Sequence, residues 1–446
     1  MTLGSLFSGS GGFELAGLLN GIEPIWASEI EPFPIMVTKK RFPNMKHYGD
    51  VSKIKGDEIE PVDIITFGSP CQDLSIAGKR AGIEGERSGL FYEAIRIIKE
   101  MRKATNGEKP KYIVWENVYG AFSSNNGEDF RLVLEEIVGI KEAGLVIPRP
   151  ARWLNAGEIV GHSFSVAWRT LDAQFWNVPQ RRVRVFLVAD FRGAGAGEIL
   201  FKQECLRGYS PKSRNAKNET AEDTRRCVKS AGFPLGFRPE NVRVYDEKAT
   251  TICNGTRAGY TCGVLEFLRE DGQRRGGKGV LLQHNRTGAL STLTNQYVLD
   301  DSNAACYSVE NHGMDNRYRI DKNGKVQTLA GQMGTGGGNV PLTLVKTKAK
   351  YRVRRLTPTE CARLQGFPDW WCDDLEDDDF EFWRNVWDEY ARLNNTKPKT
   401  DKAVREWMKH PHSDSAEYKM WGNGVALPCV DFILWAIKEC ENENNT

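Results

Sequence analysis

Three stretches of this chain combine residue types that do chemistry. The first is Phe7-Ser8-Gly9-Ser10-Gly11-Gly12-Phe13, in which glycines follow a short apolar run and lead into a helical pattern. A Gly-rich strand-to-helix turn of this kind is where α/β sheets bind nucleotides. A dinucleotide fingerprint requires G-x-G-x-x-G, but its third glycine place holds Glu14, and no Gly-Lys-Ser/Thr follows as a phosphate loop needs. Phosphate cradling is therefore disfavoured. Glu29, in Ser28-Glu29-Ile30, ends the next apolar run, where a carboxylate can accept ribose hydroxyls. The pair suits an adenosine without a pyrophosphate, and S-adenosylmethionine is the commonest such cofactor.

The second stretch, Gly68-Ser69-Pro70-Cys71-Gln72-Asp73-Leu74-Ser75, places a cysteine after a strand-like run. A lone cysteine is most often a small core hydrophobe. Here Glu116-Asn117-Val118 ends another such run, and the third stretch, Gln180-Arg181-Arg182-Val183-Arg184, opens a later one with cations at alternating positions. A nucleophile, an acid and cations are then expected to meet at one sheet edge.

The elements that must position them are legible as short apolar runs at Leu3 to Phe7, Pro24 to Ala27, Asp63 to Phe67, Lys111 to Trp115 and Val183 to Val188. Their alternation with helical patterns predicts a parallel α/β sheet. Leu90, Phe91, Ala94, Ile95, Ile98 and Met101 recur at three-to-four spacing, the stripe of a helix covering one face of that sheet. After Phe191 the composition turns Gly-, Lys-, Arg- and Thr-rich. The expected organisation is a first domain over 1–192, a second over 193–416 with a helical insertion near 371–418, and a return to the first over 417–446. Asp373 to Glu381 holds seven acids in nine residues and reads as a solvated loop opening a helix.

Composition limits the function classes. The 446 residues are 40% apolar and 27% charged, a globular balance, and no run approaches the ~18 apolar residues of a membrane span. Lys and Arg number 61 against 59 Asp and Glu, so a polyanion-binding surface must come from local clustering. The ten cysteines form no C-x-x-C pair and the N-terminus lacks a signal-peptide layout, so reduced thiols in a cytoplasm are expected. The six histidines do not cluster with cysteines at ligand spacing, so no metal is expected.

These motifs resemble the DNA (cytosine-5) methyltransferases, particularly bacterial and phage modification enzymes. The resemblance rests on Phe7 to Phe13, Glu29, Asp50-Val51, Pro70-Cys71-Gln72, Glu116-Asn117-Val118 and Gln180 to Arg184. It continues in Arg355 to Pro368 and in Gly422-Asn423-Gly424-Val425, leaving about 193 to 325 without a match. It implies a Rossmann-like, S-adenosylmethionine-dependent α/β sheet with helices on both faces and a smaller β-rich target-recognition domain.

What the resemblance implies for single residues can be checked against the chemistry. Carbon 5 of cytosine is a poor nucleophile until a thiolate adds at carbon 6, and Cys71 is the candidate for that addition. Its thiol, ordinarily titrating at about 8.5, needs a favourable local field. Glu116 is assigned to ring nitrogen 3 and the exocyclic amine, where a transient proton favoured by burial would let it donate. Arg182 and Arg184 are assigned as orienting cations, the first nearer the base. Phe7 and Ile30 would flank the adenine, Glu29 would hold the ribose and Asp50, followed by Val51, would accept the adenine amine. Ser8, Gly9, Ser10, Gly11 and Gly12 supply the turn, and Pro70, Leu90, Asn423 and Gly424 line the methionine side. Ile30 replaces an aromatic often found there, exchanging stacking for aliphatic contact.

The partner implied is double-stranded DNA, with the target base flipped out of the stack. Gln72 and Ser75 are assigned to DNA contacts, and Gly78, Gly82, Gly85 and Gly89 fit a mobile loop that closes over the base, the alternative being ordinary surface turns. The alternating Lys346, Lys348, Lys350, Arg352, Arg354 and Arg355 form a candidate phosphate-binding stripe, the alternative being a solvated face. Thr328-Leu329 followed by the Gly334 to Gly338 run resembles the family's Thr-Leu element and second recognition loop, with Gln332 the nearest side chain able to make a paired contact with adenine; Thr251-Ile252 and Thr292-Leu293 recur too unevenly for a repeat and leave open the recognition of more than one sequence. A monomer is expected, and a partner nuclease is not readable. Two rivals stand beside this reading: an RNA cytosine-5 methyltransferase on the same scaffold, and a DNA-binding protein that has lost catalysis.

Overall fold

The computed structural model describes residues 1–69, 89–201 and 356–444, together with the strand backbone at 262–267, 280–284, 297–300, 308–312, 317–321, 326–327, 342–346 and 351–355. The apolar runs of the first part form strands β1 (Thr2–Leu6), β2 (Glu23–Ser28), β3 (Lys46–His47), β4 (Ile64–Phe67) and β5 (Tyr112–Val118). Further on lie β6 (Ala156–Val160), β7 (Ser165–Asp172), the two-residue β8 (Gln180–Arg181) and β9 (Val183–Asp190). One sheet of eight strands results, in the order β3-β2-β1-β4-β5-β9-β7-β6. The order reverses at β1 and β4, and it is outside the carboxyl ends of such strands that α/β sheets bind ligands.

The expected parallel sheet holds only for β3 through β5. β9 runs antiparallel to β5, and β7 and β6 continue antiparallel. The cause is connection length. β6 and β7 form a hairpin, and the chain between β7 and β9, residues 173–182, is too short for the crossover that parallel neighbours require.

Alternate residues of the strands divide between two cores. Leu3, Ile64, Val114, Phe186 and Ala167 face one cluster, while Leu6, Ile65, Trp115, Leu187 and Val166 face the other. Helices α1 (Gly12–Leu19), α2 (Pro32–Arg41) and α5 (Gly195–Phe201) pack in the first cluster; α3 (Leu90–Ala104) and α4 (Glu128–Val138) pack in the second. On α3, Phe91, Ala94, Ile95, Ile98 and Met101 of the expected stripe are buried, as is Ile97.

The second region is rich in strands. β10 (Cys262–Phe267), β11 (Val280–His284) and β12 (Tyr297–Asp300) form an antiparallel sheet in the order β11-β10-β12. β13 (Ser308–His312), β14 (Arg317–Asp321), β16 (Leu342–Lys346) and β17 (Tyr351–Arg355) form another in the order β14-β13-β16-β17. β15 (Val326–Gln327) pairs in parallel with β8, setting Val326 opposite Gln180 and Gln327 opposite Arg181.

From Leu356 the chain re-enters the first core. α6 (Pro358–Gln365) starts in a capping box, with Thr357 Oγ accepting from the Glu360 N–H at 3.2 Å and Glu360 Oε2 accepting from the Thr357 N–H at 2.8 Å. α9 (Asp414–Asn423) and α10 (Leu427–Asn444) follow, and Leu356, Leu364, Phe367, Trp421, Val430 and Ile437 are buried with Leu3 and Phe13. No single helix among the described residues is long and apolar enough to cross a membrane.

The stretch expected as a helical insertion holds α7 (Phe380–Leu393) and α8 (Asp401–Lys409), joined by Trp407 against Trp383 and Trp387 with ring centroids 5.0 and 5.1 Å apart. It packs on α2 and on the segment around Asp50. Lys39 pairs with Asp377 of the acidic run and lies 4.8 Å over the Phe382 ring. Arg41 donates to the Trp371 carbonyl at 2.8 Å, and the buried Trp371 indole N–H donates to the Ser10 carbonyl at 2.9 Å. Trp371→Ala is expected to destabilise the protein by about 3–5 kcal/mol, since it removes a fully enclosed indole and its bond to the Gly-rich turn. Urea unfolding followed by fluorescence checks this; an unchanged midpoint contradicts it.

Candidate active site

Phe7, directly after β1, has a left-handed backbone, φ 59°, and turns the chain into the Gly-rich segment. The Ser8 N–H donates to the Ser28 carbonyl and the Gly11 N–H to the Ser8 carbonyl, both at 3.1 Å, which folds the turn back over the end of β2. Glu29 stands there. Its Oε2 accepts from the Gly9 N–H at 2.8 Å and its Oε1 from the N–H groups of Ile30 and Glu31 at 2.8 and 3.0 Å. Burial pushes its pKa upward against these three bonds.

Ser28 Oγ donates to the Gly49 carbonyl at 2.6 Å, so the loop carrying Asp50 lies beside the Glu29 turn. Asp50 is buried, and Val51 behind it belongs to the second core cluster. Asp50 Oδ1 accepts from Ser52 N–H and Oγ–H at 3.0 and 2.8 Å, and Oδ2 lies 3.0 Å from Arg392 Nη2 of α7. Burial raises its pKa, but the Ser52 bonds and the Arg392 guanidinium outweigh that and hold the carboxyl below its ordinary value.

The Gly422 to Val425 segment closes the other side of the turn. A Cβ on Gly424 would stand 2.6 Å from Ser10 Oγ, so any side chain there would have to displace the Ser10 hydroxyl. Asn423 is exposed, while Ile30 and Leu90 are half-buried. The Ser8 and Ser10 hydroxyls are buried with no partner among the described residues.

At the carboxyl end of β4 and β5, the indole N–H of Trp115 donates to Ser69 Oγ at 3.2 Å and the Asn117 amide to the Ser69 carbonyl at 3.1 Å. These two bonds anchor the last described residue before Pro70 and Cys71. Between Trp115 and Asn117, Glu116 projects to the opposite face, and Gly68 leaves it room: a Cβ there would lie 3.2 Å from Glu116 Oε2. Arg184 Nε lies 3.0 Å from Glu116 Oε1. Glu116 pairs with Phe186 and Val118 with Arg184, so acid and cation are diagonal neighbours on one sheet face.

Arg182, expected nearer the base than Arg184, is the more deeply buried of the two. Its guanidinium donates to the Gly422 carbonyl at 3.4 Å and to the Gly424 carbonyl, and its N–H to Asp172 Oδ1 at 3.1 Å. Burial pushes it down to about 9, the nearby Arg184 charge adding to the fall and Glu116 opposing it. Arg182 thus ties the β8–β9 corner to the segment that closes on the Gly-rich turn.

Of the expected site residues, Phe7, Ser8, Gly9, Ser10, Gly11, Gly12, Glu29 and Gly424 gather around one turn, and Glu116, Arg182 and Arg184 around the end of β5. Pro70, Cys71, Gln72 and Ser75, with Gly78, Gly82 and Gly85, lie outside the described residues, as do Thr251, Thr292, Thr328, Gln332, Lys348 and Lys350. Gly89 caps the start of α3. β15 ends at Gln327, paired with Arg181, so the chain enters the Thr328 segment beside the active edge.

Comparison with known proteins decides the family. A model of the C-5 cytosine-specific DNA methylases matches residues 1–141 and 151–382. The chain belongs to this family. Among curated relatives, a protein of Escherichia phage P1 named DNA N-6-adenine-methyltransferase is 28% identical over 96% of this chain and 60% of its own length. Type II methyltransferase M.Bsp6I of a Bacillus strain is 25% identical over 83% of this chain and 88% of its own. This chain therefore spans less than two thirds of the phage relative. Among solved structures, the S. pombe Dnmt2 methyltransferase aligns over 100% of both chains at 16% identity with a TM-score of 0.48.

Two participants escaped the sequence reading. Arg392 lies 342 positions from Asp50, and no local pattern marks such a contact. Glu14, noted only as an interruption of the glycine fingerprint, is fully buried beneath the turn. Burial pushes its carboxyl from 4.5 up to about 7, partly offset by its backbone and the Ser5 hydroxyl, with Glu29 adding to the rise. The folded state therefore holds a proton that the unfolded chain has released between these values, and stability falls as pH rises through that window. Glu14→Gln should abolish this fall and leave the variant more stable than wild type at pH 8. Unfolding curves at pH 4.5, 6 and 8 check it, and parallel pH dependences in the two proteins contradict it.

Proposed function

We propose that this chain transfers a methyl group from S-adenosyl-L-methionine to carbon 5 of a flipped cytosine in a specific sequence of double-stranded DNA, as a modification enzyme protecting against restriction. The observation that carries the proposal is the buried Glu116–Arg184 pair, 3.0 Å apart, beside the anchored root of the Cys71 loop in a chain of the cytosine-5 family.

The cofactor fits the residues present. Glu29 Oε2 accepts one backbone N–H and keeps acceptor capacity for a ribose hydroxyl, and the buried Ser8 and Ser10 hydroxyls have bonding capacity that an amino-acid-bearing nucleoside can use. Asp50 is assigned to the adenine amine, Phe7 and Ile30 to the adenine faces, and Gly424 with Asn423 to the methionine end. When bound, S-adenosylmethionine supplies an activated methyl group on a sulfonium.

The protein's part is to make carbon 5 nucleophilic. The Cys71 thiolate forms a bond to carbon 6, and the ring electrons displaced toward nitrogen 3 are met by a proton from Glu116. Arg184 fixes the orientation of that carboxyl through the ion pair. Carbon 5, now part of an enamine, would take the methyl group that the bound cofactor supplies, the sulfonium leaving as a thioether; loss of the carbon 5 proton to a base then restores the double bond and expels the thiolate, and nitrogen 3 returns its proton to Glu116. Unstacking the target base costs a few kcal/mol, repaid by contacts to the extrahelical base and the phosphates.

Sequence choice is assigned to 193–350, a region that is joined to the first sheet's neighbourhood by the pairing of β15 with β8. The working unit proposed is a monomer in a bacterial or phage-infected cytoplasm.

Transfer of labelled methyl groups to duplex DNA, followed by digestion to nucleosides, tests the reading. The product should be 5-methylcytosine; N6-methyladenine would overturn it in favour of the activity named for the phage relative. Cys71→Ser should abolish turnover while leaving cofactor affinity nearly intact, and 5-fluorocytosine DNA should trap the wild-type chain on a peptide containing Cys71. Methylation by the Ser variant would sink the mechanism.

A further inference from the structure

Asp50 is reached by the helical insertion through one side chain. Arg392, the penultimate residue of α7, places Nη2 3.0 Å from Asp50 Oδ2. Glu389, one turn earlier, pairs with Lys53 and lies 3.8 Å from Arg392, so the same helix face is pinned on either side of the loop. The donors on Asp50 are unequally distributed. Oδ1 accepts two bonds from Ser52, which fills it, whereas Oδ2 accepts, among the described residues, from Arg392 alone. A carboxylate oxygen takes about two donors, so one acceptor position remains, and it is on the oxygen that Arg392 holds.

We infer that Arg392 is a positioning residue for the adenine site: it fixes the Asp50 carboxylate so that Oδ2 is presented to the exocyclic amine of the cofactor. The insertion then acts as a part of the cofactor pocket supplied from a distant stretch of chain. This rests on the assignment of Asp50 to the adenine amine. The Arg392 side chain is 56% exposed and Asp50's is 7% exposed. Without Arg392 the Asp50 carboxylate keeps its two Ser52 bonds, so removal of this exposed cation should leave the fold intact. The carboxylate it releases is buried, and there the loss of orientation is felt by the ligand.

The test is a double-mutant cycle on the affinity for S-adenosylhomocysteine, measured by calorimetry on the full chain. Arg392→Ala should weaken binding roughly tenfold, the scale of a hydrogen bond to a charged group. In an Asp50→Ala background the same change should cost about twofold or less, because its effect is transmitted through that carboxylate. Arg392→Lys should recover part of the affinity. Lys53→Ala, which breaks the neighbouring Lys53–Glu389 pair without touching Asp50, should stay within about twofold of wild type. If Asp50→Ala weakens binding and Arg392→Ala does not, the inference fails while the adenine assignment stands. If Arg392→Ala costs the same factor in both backgrounds, the residue acts on the fold alone and the inference fails. If Asp50→Ala leaves affinity unchanged, both the assignment and the inference built on it are overturned.

Discussion

The direction of one strand governs the candidate site. β9 runs against β5, and only for that reason does Arg184, at the start of one strand, reach Glu116, near the end of the other. In a parallel pair the beginning of β9 would lie at the far edge of the sheet, away from Ser69 at the end of β4. The pair sits where both partners are mostly enclosed, with side chains 12% and 14% exposed. Breaking a pair in such surroundings leaves a charge without its counter-ion, and that penalty binds the acid and cation together as a unit.

The rest of the architecture places the second half of the chemistry beside the first. β1 and β4 meet at the reversal of strand order, so the Gly-rich turn and the root of the Cys71 loop emerge side by side. Trp115 and Asn117 grip Ser69 from one face of β5 while Glu116 points to the other, which couples loop and acid through a single strand. Arg182 performs the matching task on the cofactor side. Its bonds to the Gly422 and Gly424 carbonyls hold the closing segment against Ser10, so the two halves share one buried cation.

Much of this was legible in the residues. Leu3 to Phe7 and Asp63 to Phe67 are short apolar runs with polar or Gly-rich exits, and such runs form strands whether or not their partners are known. Glu29 and Glu116 end their strands as carboxylates, and the turn beside each follows from the same local pattern. The polarity of β9 was not legible, because it depends on how much chain separates it from β7. β6 and β7 escaped notice for a related reason: β6 is a half-exposed edge strand without a continuous apolar run. The seat of the insertion was hidden as well. Lys39 with Asp377 and Arg392 with Asp50 join positions more than three hundred residues apart, and charge pairing at that distance leaves no periodicity to read.

A double-mutant cycle on single-turnover methyl transfer, comparing Glu116→Gln, Arg184→Ala and the combined variant, probes the Glu116–Arg184 unit most directly. If the cation acts through the acid, the double variant should be no slower than the slower single variant, within about threefold. Two rate losses that simply multiply would mean that Arg184 and Glu116 act independently, and would contradict the dependence of the site on the antiparallel pairing of β9 with β5.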